Sequence, residues 1–519
     1  MADHNGTLKK EYKKMSKITN QLNKQLVNNM SENIIKDETL NQWFKGYEIA
    51  DDVRMIREEL LDLHVGLGDV VLVCLPNTAA YPAITQAIWE VGAVMHPIAA
   101  TTPEVELQQE LSEHDYVASI VGQELVDAVL DDQLAIVTAL HLQTYSLLHI
   151  IRNRELMGHD AAVPMESDLA LIMNTSGTTG KPKRVGLTHE LLLNGVEHDI
   201  ESHGMTALDT TLVVMPMFHI NAQAVSILST RLSGGKIVIA DKFSASKFWN
   251  QVRDNEVTWV SVVPTIINIL LINQRANESY DNDIKLRFVR CSSFALPLDK
   301  LNAFQNRFHT TILEGYGMTE TASQCTINPF DAPKIGSAGK AFKTDVAIMI
   351  NNEISKEANQ IGEIVVRGDH VISDYLDSHP DSFQDGWFLT GDLGYLDEDD
   401  YLFVEGRKKD IINHGGEKIA PVQVENSLSQ LSFVKEVSVI GTPDTLYGEA
   451  VTAVVISQGL QDEELERQKI MAHARETLAS YEQPTRIFFV DDYPRNATGK
   501  VIRLKLREQV MSALVGRAG

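Results

Sequence analysis

Only three cysteines occur in 519 residues, Cys74, Cys291 and Cys325, and they share no CxxC or metal-ligand spacing. That scarcity excludes a disulfide scaffold or a structural zinc cluster, and it suits a reducing compartment with plain core or pocket thiols. Positive charge is equally short: 46 Lys and Arg stand against 71 Asp and Glu, a net charge of −25, so a polyanion such as nucleic acid is not an expected partner. Long apolar runs are missing too. Two long stretches without a charged residue, Thr210 to Thr230 and Val257 to Gln274, are interrupted by Pro216, His219, Asn221 and Gln223 and by Pro264 and Asn268. They read as buried elements of an α/β core rather than membrane spans, which need about 20 apolar residues. Lys9, Lys10, Lys13, Lys14 and Lys17 are followed by no apolar segment, so no secretory signal is read and a cytoplasmic location is expected.

What is present is ordinary globular composition, 44% hydrophobic and 23% charged, over a length too great for one core. Residues 1 to about 45 are polar and rich in Lys and Asn and read as an arm or entry helix. From Asp69 onward, short Val/Ile/Leu runs (Val70 to Leu75, Leu169 to Met173, Thr211 to Met215, Lys236 to Ala240, Val257 to Val263) alternate with amphipathic segments, which predicts βαβ units and a mainly parallel sheet. After Lys334 closely spaced short strands predict a small β-barrel module. A mixed α+β unit, 407–519, follows. The expected fold is therefore α/β: a large N-terminal domain, 1–406, and a small α+β domain, 407–519.

The strongest local signal is TSGTTGKPK, comprising Thr175, Ser176, Gly177, Thr178, Thr179, Gly180, Lys181, Pro182 and Lys183, directly after an apolar strand. Hydroxyls, glycine-exposed N–H groups and two lysines at this density make an anion-binding loop. It is not the P-loop of NTPases, whose glycines are spaced differently and whose Lys precedes Ser or Thr. EGYGMTE supplies an aromatic ring in Tyr316, close backbone approach at Gly317, a hydroxyl in Thr319 and a carboxylate in Glu320 able to hold Mg²⁺. Further on, Asp392 in a tight turn and Arg407 at a strand end are a carboxylate and a cation suited to a ribose diol. PRNATGK presents Lys500 near the C-terminus. Taken singly, Asp392 reads as a turn-former, Arg407 as a solvated cation and Lys500 as an inert loop lysine.

Together, in this order, these motifs resemble the AMP-forming acyl-CoA synthetases of the adenylate-forming superfamily. The resemblance implies ATP bound with Thr175 to Lys183 over its phosphates, Mg²⁺ on Glu320 beside Thr319, Tyr316 and Gly317 near the adenine, and Asp392 and Arg407 on the ribose. A substrate carboxylate would attack the α-phosphorus to give acyl-AMP and pyrophosphate, with Lys500 as the catalytic cation. The C-terminal domain would then swing about Lys409, bringing Gly415, Gly416 and Glu417 to the pantetheine tunnel for attack by coenzyme A. No protein nucleophile is needed, because coenzyme A brings its own thiol. Two positions depart from the family wording: Arg184 replaces a glycine after the phosphate loop, and Lys409 replaces the aspartate of some members.

The stretches FSASKFW, TWVSVVPTIINILL, KLRFVRCSS and NHGGEKIAP most resemble the oxalate–CoA ligase branch, whereas FHINAQ and FWNQV also resemble carnitine/crotonobetaine and fatty-acid ligases. The expected substrate is a small carboxylic acid such as oxalate, with medium or long fatty acids as the alternative. Where the oxalate branch has a histidine three residues after the Mg²⁺ glutamate, this chain has Ser323, and His219 falls at the position of an acid-site gate. A catalytically silent nucleotide-binding protein is the rival of another class; the retention of Lys500, Glu320, Asp392 and Arg407 argues against it. The protein is expected as a monomer or homodimer.

Overall fold

The computed structural model describes residues 15–129, 135–175, 183–293, 296–355, 357–459, 462–495 and 500–517, and the statements below concern these. The apolar runs form two sheets that share one large core. The first runs, in spatial order, Ala135–Leu140, Leu148–Asn153, Ala118–Gly122, Val70–Leu75, Val94–Ala99, Leu169–Thr175 and Lys183–Thr188. Its central strands pair in parallel and its flanks are antiparallel, so the expected parallel character holds only in the middle. The central strands are buried almost throughout, which is why they read as continuous apolar runs rather than alternations.

The second sheet places Phe288–Cys291, Trp259–Val262, Thr210–Val213 and Lys236–Ile239 in parallel at its centre. Its far edge bears out an entry helix in the N-terminal segment and adds two strands that the arm reading lacked. Lys17–Asn28 is a helix, and Asn33–Asp37 and Gln42–Lys45 are strands of this sheet, with Ile35 and Phe44 fully buried. The polar residues that disguised the segment are themselves tied down. Lys36 Nζ donates to Asn255 Oδ1 at 2.9 Å, and Asp37 Oδ2 accepts from the Ala79 N–H at 3.1 Å.

Between Asp345 and Arg407 lies the β-rich module, an antiparallel sheet in which Gly362–Arg367 pairs with Trp387–Leu396 and the latter with Leu402–Arg407. Asp392 is therefore not in a tight turn. It lies inside a ten-residue strand, and what imitated a turn is Gly391 at φ +72° together with a register shift after Leu393. The C-terminal part is a separate sheet around Gly448–Ser457 with helices Pro421–Leu428, Glu463–Thr477 and Arg503–Arg517. It has its own core, centred on Ile412, Val424, Val439, Val451 and Ile470. The chain thus has a large N-terminal and a small C-terminal domain. Among the described residues no helix is long and apolar enough to cross a membrane. All three cysteines are buried and free, and burial pushes the Cys74 and Cys325 thiols up to about 12.

Trp249, fully buried, packs on Phe308 (4.7 Å between ring centroids), Phe248 and Tyr280 (both 4.9 Å). Trp249→Ala should cost about 3–5 kcal/mol of stability through the cavity it leaves. Leu208→Ala, at a position 89% exposed, should stay within about 0.5 kcal/mol. Urea unfolding followed by far-UV circular dichroism measures both, and equal midpoints would contradict this packing.

Candidate active site

Leu169–Thr175 and Lys183–Thr188 are antiparallel neighbours with Thr175 opposite Lys183. Ser176, Gly177, Thr178, Thr179, Gly180 and Lys181 lie outside the described residues. The two flanks are well defined. Lys183 Nζ donates to Ser382 Oγ at 3.1 Å and stands 4.4 Å from the centroid of the Tyr375 ring, a cation–π contact. Tyr375 Oη in turn donates to Glu320 Oε1 at 2.7 Å. Lys183, at the end of the Thr175–Lys183 segment, and the Glu320 carboxylate are thereby joined through one tyrosine that no sequence motif marks.

Glu320 is buried in a single 3₁₀ turn, Thr319–Thr321, just beyond strand Ile312–Tyr316. The chain returns sharply here. A Cβ on Gly317 would come within 1.9 Å of the Ser323 carbonyl oxygen, so only glycine permits the approach. Ala322 and Ser323 take φ +47° and +146°, a strain of about 1–3 kcal/mol each that the surroundings must hold. They do so through the Ile372 N–H, which donates to the Glu320 carbonyl at 2.9 Å. Ser323 Oγ donates to Asp199 Oδ2 at 2.8 Å, on helix His189–His203. Burial raises the Asp199 carboxyl to about 6, with Arg290 and Ser323 opposing. The hydroxyl that stands in for the oxalate branch's imidazole is thus engaged with a buried carboxylate.

Asp392 and Arg407 come together across two strands. Antiparallel register sets Asp392 opposite Arg407, and Arg407 Nε meets Asp392 Oδ1 at 2.7 Å while Tyr316 Oη donates to Asp392 Oδ2 at 2.7 Å. Arg407 also donates through Nη1 to the Thr390 carbonyl at 3.1 Å, and Glu320 is close enough to act on its charge. Lys500 arrives from the small domain. Its side chain keeps solvent access, yet its ammonium is surrounded by protein: burial, then repulsion from Arg407, pull its pKa down to about 8 against the attraction of Asp392. Arg503, three residues on, forks onto Glu425 at 2.7 and 2.9 Å and lies 3.5 Å from Asp410, fastening the Lys500 segment beside the proposed pivot.

Lys409 sits exposed in the 3₁₀ turn Lys408–Asp410 immediately after Arg407. Gly415 and Gly416, at φ +63° and +98°, form the two-residue tip of the hairpin between Ile412–His414 and Glu417–Ile419. That tip and Glu417 are exposed, and no described contact joins them to Glu320 or Asp392. His219 precedes a π-helical segment, Asn221–Leu228. Burial pulls its pKa to about 4, so the imidazole is neutral, and its Nε2 has no partner among the described residues. The structure therefore brings Tyr316, Asp392, Arg407 and Lys500 together, joins Glu320 to Lys183 through Tyr375, and leaves the Gly415–Glu417 hairpin apart.

Residues 25–376 match the family model described as AMP-binding enzyme, and residues 423–500 match that of the AMP-binding enzyme C-terminal domain. The oxalate–CoA ligase of Arabidopsis thaliana is 32% identical over 85% of this chain and 88% of its own. A long-chain-fatty-acid–CoA ligase of Mycobacterium tuberculosis is 30% identical over 87% of this chain and 90% of its own. Among solved structures, the o-succinylbenzoate coenzyme A synthetase of Bacillus subtilis in complex with ATP and magnesium ion superposes with a TM-score of 0.76 at 27% identity, covering 94% of this chain and 99% of the other. With fold, motif order and both domain matches in agreement, this chain belongs to the AMP-binding enzymes of the adenylate-forming superfamily and is an acid–CoA ligase.

Proposed function

We propose that this ligase activates a small polar carboxylic acid, oxalate being the leading candidate, with Lys500 as the adenylation cation, and that the domain boundary follows Gly406. The observation that carries the reading is the Asp392–Arg407 pair, closed at 2.7 Å with Tyr316 on the second carboxylate oxygen, whose charges act on Lys500. In the first half-reaction the acid's carboxylate oxygen attacks the α-phosphorus of ATP. A new O–P bond forms, the bond to pyrophosphate breaks, and the charge that accumulates between the two anions is met by the Lys500 ammonium. Asp392 and Arg407 orient the ribose, and Tyr316 fixes the carboxylate of Asp392. Glu320 fits Mg²⁺, since it is a hard oxygen donor of which, among the described residues, one oxygen is bonded, by Tyr375. When bound, the ion would neutralise phosphate charge. In the second half-reaction the thiol of coenzyme A attacks the acyl carbon and AMP leaves; a swing about Lys409 would carry Lys500 out and the Gly415–Glu417 hairpin in.

A polar acid is supported by what gathers at the C-terminal ends of the parallel strands, where ligands of open α/β sheets bind. Asn221 Nδ2 and Arg290 Nη1 both donate to Ser292 Oγ, at 3.2 and 2.8 Å. Asn221 Oδ1, Arg290 Nε and His219 Nε2 lack partners among the described residues. Unpaired polar atoms penalise an alkyl chain and welcome a second oxygen-bearing group. A fatty-acid ligase remains the runner-up, on the wording of FHINAQ and FWNQV. Steady-state kcat/KM on oxalate, crotonate, octanoate and palmitate should favour oxalate; a tenfold preference for either fatty acid would overturn the substrate while leaving the ligase class intact.

The pH dependence follows from Lys500. Its ammonium is present below about pH 8 and is lost above it. In ATP–pyrophosphate exchange, kcat/KM should therefore fall above about pH 8, by up to about tenfold per pH unit. The limb in kcat should lie higher, because bound phosphates favour the cation. Lys500→Arg, always charged, should lose the limb whatever its rate. A wild-type profile flat to pH 9.5, or an unchanged limb in the arginine variant, would contradict the assignment.

A further inference from the structure

Against the Glu320–Gln324 segment, His198 and His370, neither assigned a role above, converge on one carboxylate. His198 Nε2 lies 3.5 Å and His370 Nδ1 3.4 Å from Asp369 Oδ1, the imidazole rings stand at 82° with centroids 4.8 Å apart, and the three ligand atoms all lie within 4.8 Å of one another. Both histidines are buried, whereas the Asp369 side chain is 62% exposed, which leaves the cluster open to water on one side.

The hydrogen bonds settle which nitrogen of His370 carries its proton. His370 Nε2 faces the Gln324 carbonyl at 3.0 Å and Thr344 Oγ1 at 3.2 Å. The Thr344 hydroxyl gives its own proton to the Phe342 carbonyl at 3.0 Å, so both neighbours of Nε2 are acceptors. Nε2 is the N–H, and Nδ1 points a bare lone pair at a carboxylate oxygen. That juxtaposition is repulsive unless a cation lies between. The nearby charges Lys343 and Glu201 are joined to each other.

A metal ion satisfies the same geometry without that cost. Two ligands about 2.1 Å from a tetrahedral ion stand about 3.4 Å apart, which matches both carboxylate-to-imidazole separations. A ring N–H given to a backbone carbonyl is also how metal-bound histidines are oriented. Room for the His370 ring comes from Gly368, where a Cβ would lie 3.0 Å from Nδ1. Asn194, one turn before His198 on the same helix, donates to the Asp369 carbonyl at 2.8 Å and docks the loop in place.

We propose that His198, Asp369 and His370 form a transition-metal site of the zinc class, with water completing the shell, that pins the loop after strand Gly362–Arg367 to helix His189–His203. Two nitrogens and one carboxylate suit Zn²⁺ or Co²⁺ rather than Mg²⁺. The site would act on the strained Glu320–Gln324 segment by holding the loop that grips both its ends, through Ile372 N–H to Glu320 and through His370 to Gln324.

Full-length, tag-free protein stripped with chelator and titrated with CoCl₂ gives a readout independent of catalysis. The expected result is one Co²⁺ per chain with visible ligand-field bands, displaced by Zn²⁺ and not by Mg²⁺, and a raised melting temperature. Asp369→Asn and His198→Gln should each weaken binding by at least about tenfold with unchanged far-UV circular dichroism; the exposed Asp369 is chosen because its replacement leaves the core alone. Absence of the bands, or wild-type Co²⁺ affinity in both variants, would overturn the site.

Discussion

Asp392 and Arg407 face each other across two antiparallel strands, and neither charge is tolerable there alone. A buried carboxylate stripped of its partner costs several kcal/mol, and the pair is joined at 2.7 Å with Tyr316 on the second carboxylate oxygen. The register that makes this contact also sets the entry to the small domain, because the chain leaves the strand at Arg407 and turns at once through Lys408–Asp410. The same ion pair therefore defines the proposed ribose site, fixes where the proposed pivot begins, and supplies the field in which Lys500 sits.

That field tunes the lysine. Crowding by protein and the Arg407 charge weaken its hold on a proton, and Asp392 restores part of it. An ammonium so poised is cheap to release when the domain moves and is strengthened when triphosphate arrives. On the other side of the site, Glu320 is held by a different device: a strained turn at Ala322 and Ser323, stitched from outside by Ile372 and Tyr375. Under the proposed mechanism, rigidity there and a pivot at Lys409 would divide the labour between the two domains.

Much of this was legible in the residues, and what was not has physical reasons. Buried strands such as Val70–Leu75 and Leu169–Thr175 announced themselves as apolar runs, and the motifs picked out Tyr316, Asp392 and Arg407, which the structure brings into contact. Asn33–Asp37 stayed hidden because its lysine and aspartate are buried by partners hundreds or tens of residues away, Asn255 and Ala79. Asp392 looked like a turn residue because a positive-φ glycine precedes it inside a strand. Tyr375 gave no local signal at all, since its importance comes from touching Glu320 and Lys183 at once. Ser323 could be seen as a departure, but its commitment to Asp199, 124 positions away, could not.

The central claim is that one lysine from the small domain serves adenylation alone. Lys500→Ala, assayed separately for acyl-adenylate formation from ATP and acid and for thioester formation from preformed acyl-AMP and coenzyme A, tests it most directly. The account predicts a loss of at least about 10²-fold in the first half-reaction and near wild-type rates in the second. Equal losses in both, or none in the first, would contradict it.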